Sequence, residues 1–173
     1  LPAEAPASIS VAEQGARLVE LRLDYIRNEV NLKRLLADQP CPVVITCRRE
    51  RDGGKWARSE DERLMLLRTA IVQGVDYVDL EEDIAGQVPR YGKTKRIVSF
   101  HDFRKTPEDL ESIHQRLCQL DPDIIKLATM ANHPQDNWRL LRLVRQAKVP
   151  TAGFCMGDIG TPSRLLCGKY GAP

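Results

Sequence analysis

The sequence predicts an α/β fold in which parallel strands close into a barrel, and three observations carry that prediction. Short β-rich segments alternate with longer helical ones almost from end to end of the 173 residues. Charged residues alternate with apolar ones in two strand segments, through Glu20, Arg22 and Asp24 and through Asp79 and Glu81, which gives those strands one charged face. Ionisable residues also recur at strand ends. The steps Arg22→Arg48→Asp79→His101→Lys126 are 26, 31, 22 and 25 residues, each about the length of one strand, one helix and two short loops.

The elements follow in order. In Leu18–Asp24, Glu20, Arg22 and Asp24 alternate with Val19, Leu21 and Leu23, the period of a strand. Pro42–Arg48 is apolar until the arginine at its end. Ser59, with Glu62 three positions on, forms a capping box ahead of the apolar-periodic run Leu64–Val72. Tyr77–Glu81 alternates again, with Asp79 and Glu81 against Val78 and Leu80. Arg96–Asp102 brings His101 near its end, and Thr106, Pro107 and Asp109 then signal a helix start. Asp123–Thr129 contains Lys126. Gln135–Ala147 reads as a helix with Trp138, Leu141 and Val144 along one face, and Thr151–Gly157 is the sixth strand. Strands separated by helices imply parallel β/α units, because parallel neighbours need a crossover.

The charged faces favour a barrel over an open doubly wound sheet. Helices cover both sides of an open parallel sheet, so its strands read as continuous apolar runs. A single solvent-facing antiparallel strand would alternate in the same way. Five such strands separated by helices would not, since crossover helices leave no solvent-facing side. The mouth of a barrel at the strands' C-terminal ends does accommodate polar positions.

Composition excludes several function classes. The length suits one domain with a sizeable core. Lys and Arg number 26 against 24 Asp and Glu, a net charge of +2, which provides no basic stripe for a nucleic acid. Aromatic residues make up 5%, too few for base-stacking platforms. The apolar runs fall far short of the ~20 residues of a membrane span. Leu1–Ser10 lacks the basic start and apolar core of a secretory leader. The five cysteines form no C-x-x-C pair, so no metal site or disulfide framework is expected, and a reducing, cytoplasmic setting fits better.

Lys126 is the sharpest chemical candidate. It has apolar neighbours on both sides, where a lysine is commonly a snorkelling side chain or half of a buried ion pair. Its functional reading is a desolvated amine that attacks a carbonyl. His101, one β/α unit earlier, strengthens that reading, because the two side chains would stand on neighbouring strand ends. Arg22, Arg48 and Arg164 come from three different units and suit an anionic, hydroxylated substrate. Arg164 follows the glycine-rich run 157–163 and is expected at a helix start, where backbone N–H groups also favour an anion. Asp52 and Asp79 either orient His101 or pair with an arginine.

These motifs resemble type I 3-dehydroquinate dehydratase. The resemblance rests on Glu20-Leu-Arg-Leu-Asp24, Thr46-Cys-Arg48 followed by Asp52-Gly-Gly54, and Val78-Asp-Leu-Glu81. It continues through Ser99-Phe-His-Asp-Phe103, Ile124-Ile-Lys-Leu-Ala-Thr129 and Met156-Gly-Asp-Ile-Gly-Thr-Pro-Ser-Arg164, in family order along nearly the whole chain. It implies a (β/α)₈ TIM barrel that dehydrates 3-dehydroquinate to 3-dehydroshikimate in the shikimate pathway of aromatic amino-acid biosynthesis. By resemblance Lys126 is the Schiff-base lysine and His101 the general acid–base, with Asp52 and Asp79 as catalytic-site carboxylates. Arg164 holds the substrate carboxylate. Glu20, Arg22 and Arg48 make substrate-hydroxyl and carboxylate contacts, and Phe103 and Met156 form apolar walls. No metal or cofactor is implied.

Two departures stand out. Asp52 replaces a glutamate found in some relatives, one methylene longer. The chain also enters at what reads as the first helix and stops before an eighth strand, so about six of eight β/α units are expected. Unpaired edges left by absent strands favour association, so a homodimer is expected. A fused shikimate dehydrogenase domain would suit a longer polypeptide. The rival readings are a class I aldolase-like Schiff-base barrel and an inactive barrel fragment serving as an interaction module.

Overall fold

The computed structural model describes residues 15–37 and 39–173. The readings of Leu1–Ser10 and of the entry into a first helix lie outside them. Six strands alternate with six α-helices among the described residues. In chain order these are β1 Val19–Arg22, α1 Leu32–Leu35, β2 Val43–Thr46, α2 Glu60–Val72, β3 Tyr77–Glu81 and α3 Glu82–Ala85. Then come β4 Lys95–Asp102, α4 Leu110–Cys118, β5 Ile124–Met130, α5 Pro134–Gln146, β6 Thr151–Met156 and α6 Thr161–Leu166. Every strand expected from the sequence is present, with ends shifted by no more than two residues. Two compact units make up the chain: described residues up to 79 with 88–95, and 80–87 with 96–173.

In the first unit β1 pairs with β2, and β2 with β3, all parallel. Arg22 lies opposite Thr46, and Thr46 opposite Asp79. Side chains alternate along a strand, so Glu20, Arg22, Thr46 and Asp79 share one face. Ile45 and Val78 take the other face and are fully buried, as are Leu67 and Ala70 of α2, which packs on β2. The predicted capping box starts α2: Glu62 N–H donates to Ser59 Oγ at 3.3 Å, and Ser59 N–H to the Glu62 carboxylate at 3.1 Å. Such a cap is worth about 1 kcal/mol.

In the second unit β4 pairs with β5, and β5 with β6, again in parallel. Burial alternates along β6. Thr151, Gly153 and Cys155 are buried, while Ala152, Phe154 and Met156 are half-buried. The buried face meets α5 so closely that a Cβ on Gly153 would stand 2.6 Å from the Val144 side chain.

Three local expectations are corrected. Helix α4 begins at Leu110 rather than just after Thr106. Thr106 is buried, with its hydroxyl 2.9 Å from both Met130 O and Thr129 Oγ1, so it serves the tertiary fold and not a helix terminus. Helix α5 begins at Pro134, where the Asp136 carboxylate accepts from the N–H groups of Asn132 and His133 at 2.9 and 3.0 Å. Trp138 does not join Leu141 and Val144 in the core. It remains 54% exposed and leans on Tyr170, and Leu140 and Leu143 fill the buried stripe. The five cysteines are free, with Cys47 and Cys155 buried. Among the described residues no helix is long and apolar enough to cross a membrane.

Candidate active site

In the first unit the ionisable face of the strands is organised around Asp24, whose side chain is inaccessible to solvent. Its carboxylate accepts from Arg22 Nε at 2.8 Å and Nη2 at 2.7 Å, from Arg48 N–H at 3.2 Å and from Lys55 N–H at 3.0 Å. Burial pushes this carboxyl up. The Arg22 guanidinium and the two backbone donors outweigh burial and leave it below the ordinary carboxylate range. Arg22 is raised in turn by its bond to Asp24. Arg22 and Lys55 both lie over the Tyr25 ring, 5.0 and 4.9 Å from its centre.

Arg48 donates to Asp79 at 2.8 Å, with side-chain exposures of 4% and 0%. Glu20 accepts from the Thr46 hydroxyl at 2.6 Å. Asp52 accepts from Arg49 Nε at 2.6 Å within the turn Glu50–Asp52. Both aspartates thus have arginine partners, one of the two roles left open for them. Gly54 folds this loop back on the strand end, and a Cβ there would stand 2.0 Å from Arg48 O. Beneath it Arg63, fully buried, donates to Cys47 O at 2.7 Å and grips Glu60 at 2.7 and 3.0 Å.

In the second unit Lys126 lies opposite Ser99 on β4 and Ala152 on β6, and His101 lies opposite Ala128. The alternation puts Lys126 and His101 on one face of adjacent strands, the histidine two residues nearer the strands' C-terminal ends. Both are half-buried. The His101 ring stacks on exposed Phe103, with centroids 6.0 Å apart and planes within 9°. Met156 ends β6 half-buried on the Lys126 face.

Arg164 is the fourth residue of α6, not at its start as expected. Its guanidinium lies 4.7 Å from the Phe154 ring centre, and its Nε is 3.4 Å from Cys155 O. The loop before it is fixed by residues that the sequence did not single out. Ser163 Oγ accepts from Cys155 N–H and donates to Gly160 O, both at 2.7 Å, while Asn137 accepts from Ser163 N–H and donates to Ile159 O. Gly160 is required because a Cβ there would lie 2.4 Å from Cys155 O. Of the residues missed, Asp24 was visible as the third charged position of the segment Leu18–Asp24, and it lies in the 3-10 turn Leu23–Tyr25 that follows β1. Arg63 carried no signal beyond a charge within an apolar-periodic helix.

Parallel strands joined by helices, with ionisable side chains gathered on strand faces and a lysine and a histidine on one face of adjacent strands, define a β/α protein. The chain belongs to the type I 3-dehydroquinase family, whose model matches residues 3–173. It is 39% identical over 165 residues to the 3-dehydroquinate dehydratase of Methanopyrus kandleri, covering 92% of this chain and 76% of the relative. It is 38% identical over 170 residues to the chloroplastic bifunctional 3-dehydroquinate dehydratase/shikimate dehydrogenase of Arabidopsis thaliana, covering 92% of this chain but only 28% of that protein. The crystal structure of the 3-dehydroquinate dehydratase from Geobacillus kaustophilus matches with a TM-score of 0.83 at 27% identity, over 95% of this chain and 73% of that one. These matches assign the fold to the barrels of this family.

Proposed function

We propose that the chain dehydrates 3-dehydroquinate to 3-dehydroshikimate through a Schiff base on Lys126. The observation that carries this reading is the β4–β5 register, which sets Lys126 and His101 on one strand face in a chain of the dehydratase family. The lysine amine attacks the substrate ketone, and loss of water leaves an iminium. The iminium withdraws electrons from the adjacent carbon and acidifies its C–H bond. His101 takes that proton, then returns it to the departing hydroxyl, so elimination yields the conjugated product. Hydrolysis of the iminium regenerates the lysine.

By resemblance Arg164 binds the substrate carboxylate, Glu20, Arg22 and Arg48 contact hydroxyls and carboxylate, and Phe103 and Met156 supply apolar walls. Asp79 and Asp52 act through the arginines they hold. A cytoplasmic setting, a homodimer and, in a longer polypeptide, a fused shikimate dehydrogenase belong to the same proposal. An aldolase-like barrel also uses a lysine Schiff base, but the Ser99-Phe-His-Asp-Phe103 setting favours dehydration.

The test is chemical trapping. The protein is mixed with 3-dehydroquinate, reduced with borohydride, weighed intact and then mapped by peptide. A single adduct on Lys126, absent from Lys126→Ala, is expected. Adducts scattered over surface lysines would overturn the assignment, and no adduct at all would favour the interaction module.

A further inference from the structure

On the helix side of the second unit, away from the strand face that carries Lys126, lies a second cluster of chemically capable side chains. Helix α4 and the stretch joining α5 to β6 line a partly open pocket of about 370 Å³, with Glu111, His114, Gln115, Cys118, Gln146 and Lys148 among its walls. His114 and Cys118 are one helical turn apart, which puts them on the same side of α4. Cys118 Sγ stands 3.7 Å from His114 Nδ1, and His114 Nε2 stands 2.9 Å from Thr151 Oγ1. The Thr151 hydroxyl in turn donates to Val149 O at 2.8 Å.

The Thr151 bond to Val149 O constrains the imidazole tautomer. A hydroxyl has one hydrogen, and that of Thr151 is committed to Val149 O. Thr151 therefore accepts from His114, which places the imidazole proton on Nε2. Nδ1 is left as a lone-pair acceptor directed at the Cys118 thiol. A third group orienting a base that faces a nucleophile is the arrangement of base-assisted thiol chemistry. Burial lowers the His114 pKa and raises that of Cys118, so the resting pair is neutral imidazole and thiol. The thiol then needs its neighbour to take the proton as it attacks.

We propose that Cys118 is a base-assisted modification site for small disulfides that carry both carboxylate and ammonium groups. The rim supports that class: Lys148 offers a cation, Glu111 an anion, and the two glutamines neutral hydrogen-bonding groups. The step balances. Cys118 sulfur attacks one sulfur of the disulfide while His114 Nδ1 takes the thiol proton. The reagent's S–S bond breaks, a new S–S bond joins Cys118 to half of it, and the departing thiolate collects the proton from His114. Cys118 is oxidised, and one half of the reagent is reduced to thiol.

The test exposes the intact chain to oxidised glutathione and follows each cysteine by peptide mass. Cys41 and Cys167, also half-buried, are internal references. Cys118 should be modified faster than either. His114→Asn should slow Cys118 by roughly a hundredfold, the lower range for a positioned base, and leave Cys41 and Cys167 unchanged. Thr151→Val, which frees the tautomer without removing the imidazole, should slow it by a smaller factor. If His114→Asn unfolds the chain, buried Cys47 and Cys155 become labelled, and Thr151→Val then decides. Measured relative to Cys167, bis(2-hydroxyethyl) disulfide, which carries no charge, should show less preference for Cys118 than oxidised glutathione does. Equal preference would overturn the ligand class. A Cys118 rate no greater than that of Cys167, or one indifferent to both variants, would overturn the site.

Discussion

Asp24 holds the Arg22 guanidinium by two parallel bonds of 2.8 and 2.7 Å, and the same carboxylate ties down the backbone at Arg48 and Lys55. This geometry fixes the Arg22 guanidinium relative to the backbone at Arg48, whose own guanidinium is held by Asp79. Bidentate pairs of this kind fix the guanidinium plane as well as its charge.

A pH dependence follows from its lowered titration. Below the ordinary carboxylate value of 3.8 the unfolded chain takes up a proton at Asp24 before the folded chain does. The stability contributed by the charged form is therefore complete above that value and is lost as pH falls from it through the folded value. Asp24→Asn should be less stable than the parent at neutral pH, with the gap closing in strong acid. Urea midpoints measured for both proteins across that range check this, and a gap that widens on acidification would contradict it.

The Arg48–Asp79 pair leads to a larger effect. Both side chains are almost wholly buried, so removing one partner strands a charge in a poorly solvated site. Asp79→Ala should cost about 3–5 kcal/mol, the usual penalty for breaking a buried pair. Replacing both residues with apolar groups of similar volume should recover much of that loss. Equilibrium unfolding of the single and double variants measures the difference, and a single variant within ~0.5 kcal/mol of the parent, as at ordinary surface sites, would show that the pair contributes little.

What could be read from the sequence divides by distance along the chain. Strand alternation and the Ser59–Glu62 capping box are local patterns, and they appear where the sequence placed them. Lys126 and His101 were legible as strand residues because the alternation fixes the face and the parallel register brings neighbouring strands alongside. Asp24 as a hub was not, since its partners Arg48 and Lys55 are 24 and 31 residues away. Thr106 misled for the same reason: its hydroxyl bonds to groups on β5, 23 and 24 residues on, and the helix signal around it was overridden. Asp52 and Asp79 each had an arginine and His101 as candidate partners in sequence, and the structure shows the arginine bonds, to Arg49 three residues away for Asp52 and to Arg48 31 residues away for Asp79.

Gly54 provides a test of how tightly the loop after β2 is built. A methyl group there would meet Arg48 O at 2.0 Å and Arg48 Cβ at 2.5 Å, the first of them backbone, two residues past the end of β2. Gly54→Ala should force the loop off the strand, loosen the Gly54 N–H bond to Arg49 O and cost about 1–3 kcal/mol, the range for overpacking. Gly86→Ala, where nothing lies within 4 Å of the added carbon, is the matched control. Thermal unfolding of the two variants should separate them clearly, and equal midpoints would contradict the close approach.

On the proposed mechanism the two residues of the β4–β5 face divide the labour. A lysine that forms the iminium and a histidine that moves protons fail in different ways when removed. Lys126→Ala loses both adduct and turnover. His101→Ala retains the amine, so condensation with 3-dehydroquinate can proceed while proton abstraction stalls. Turnover should fall by roughly two to four orders of magnitude, the contribution of positioned acid–base catalysis, and the borohydride-trappable adduct should accumulate to a higher steady level. Phe103, whose ring stacks at 6.0 Å on the histidine ring, carries no titratable group. Phe103→Leu should therefore give a smaller loss than His101→Ala, with no change in the pH profile. Rapid-quench trapping alongside steady-state rates resolves the cases. An unchanged rate in His101→Ala would mean that another group moves the proton, and loss of the adduct in that variant would mean that His101 also serves the condensation step.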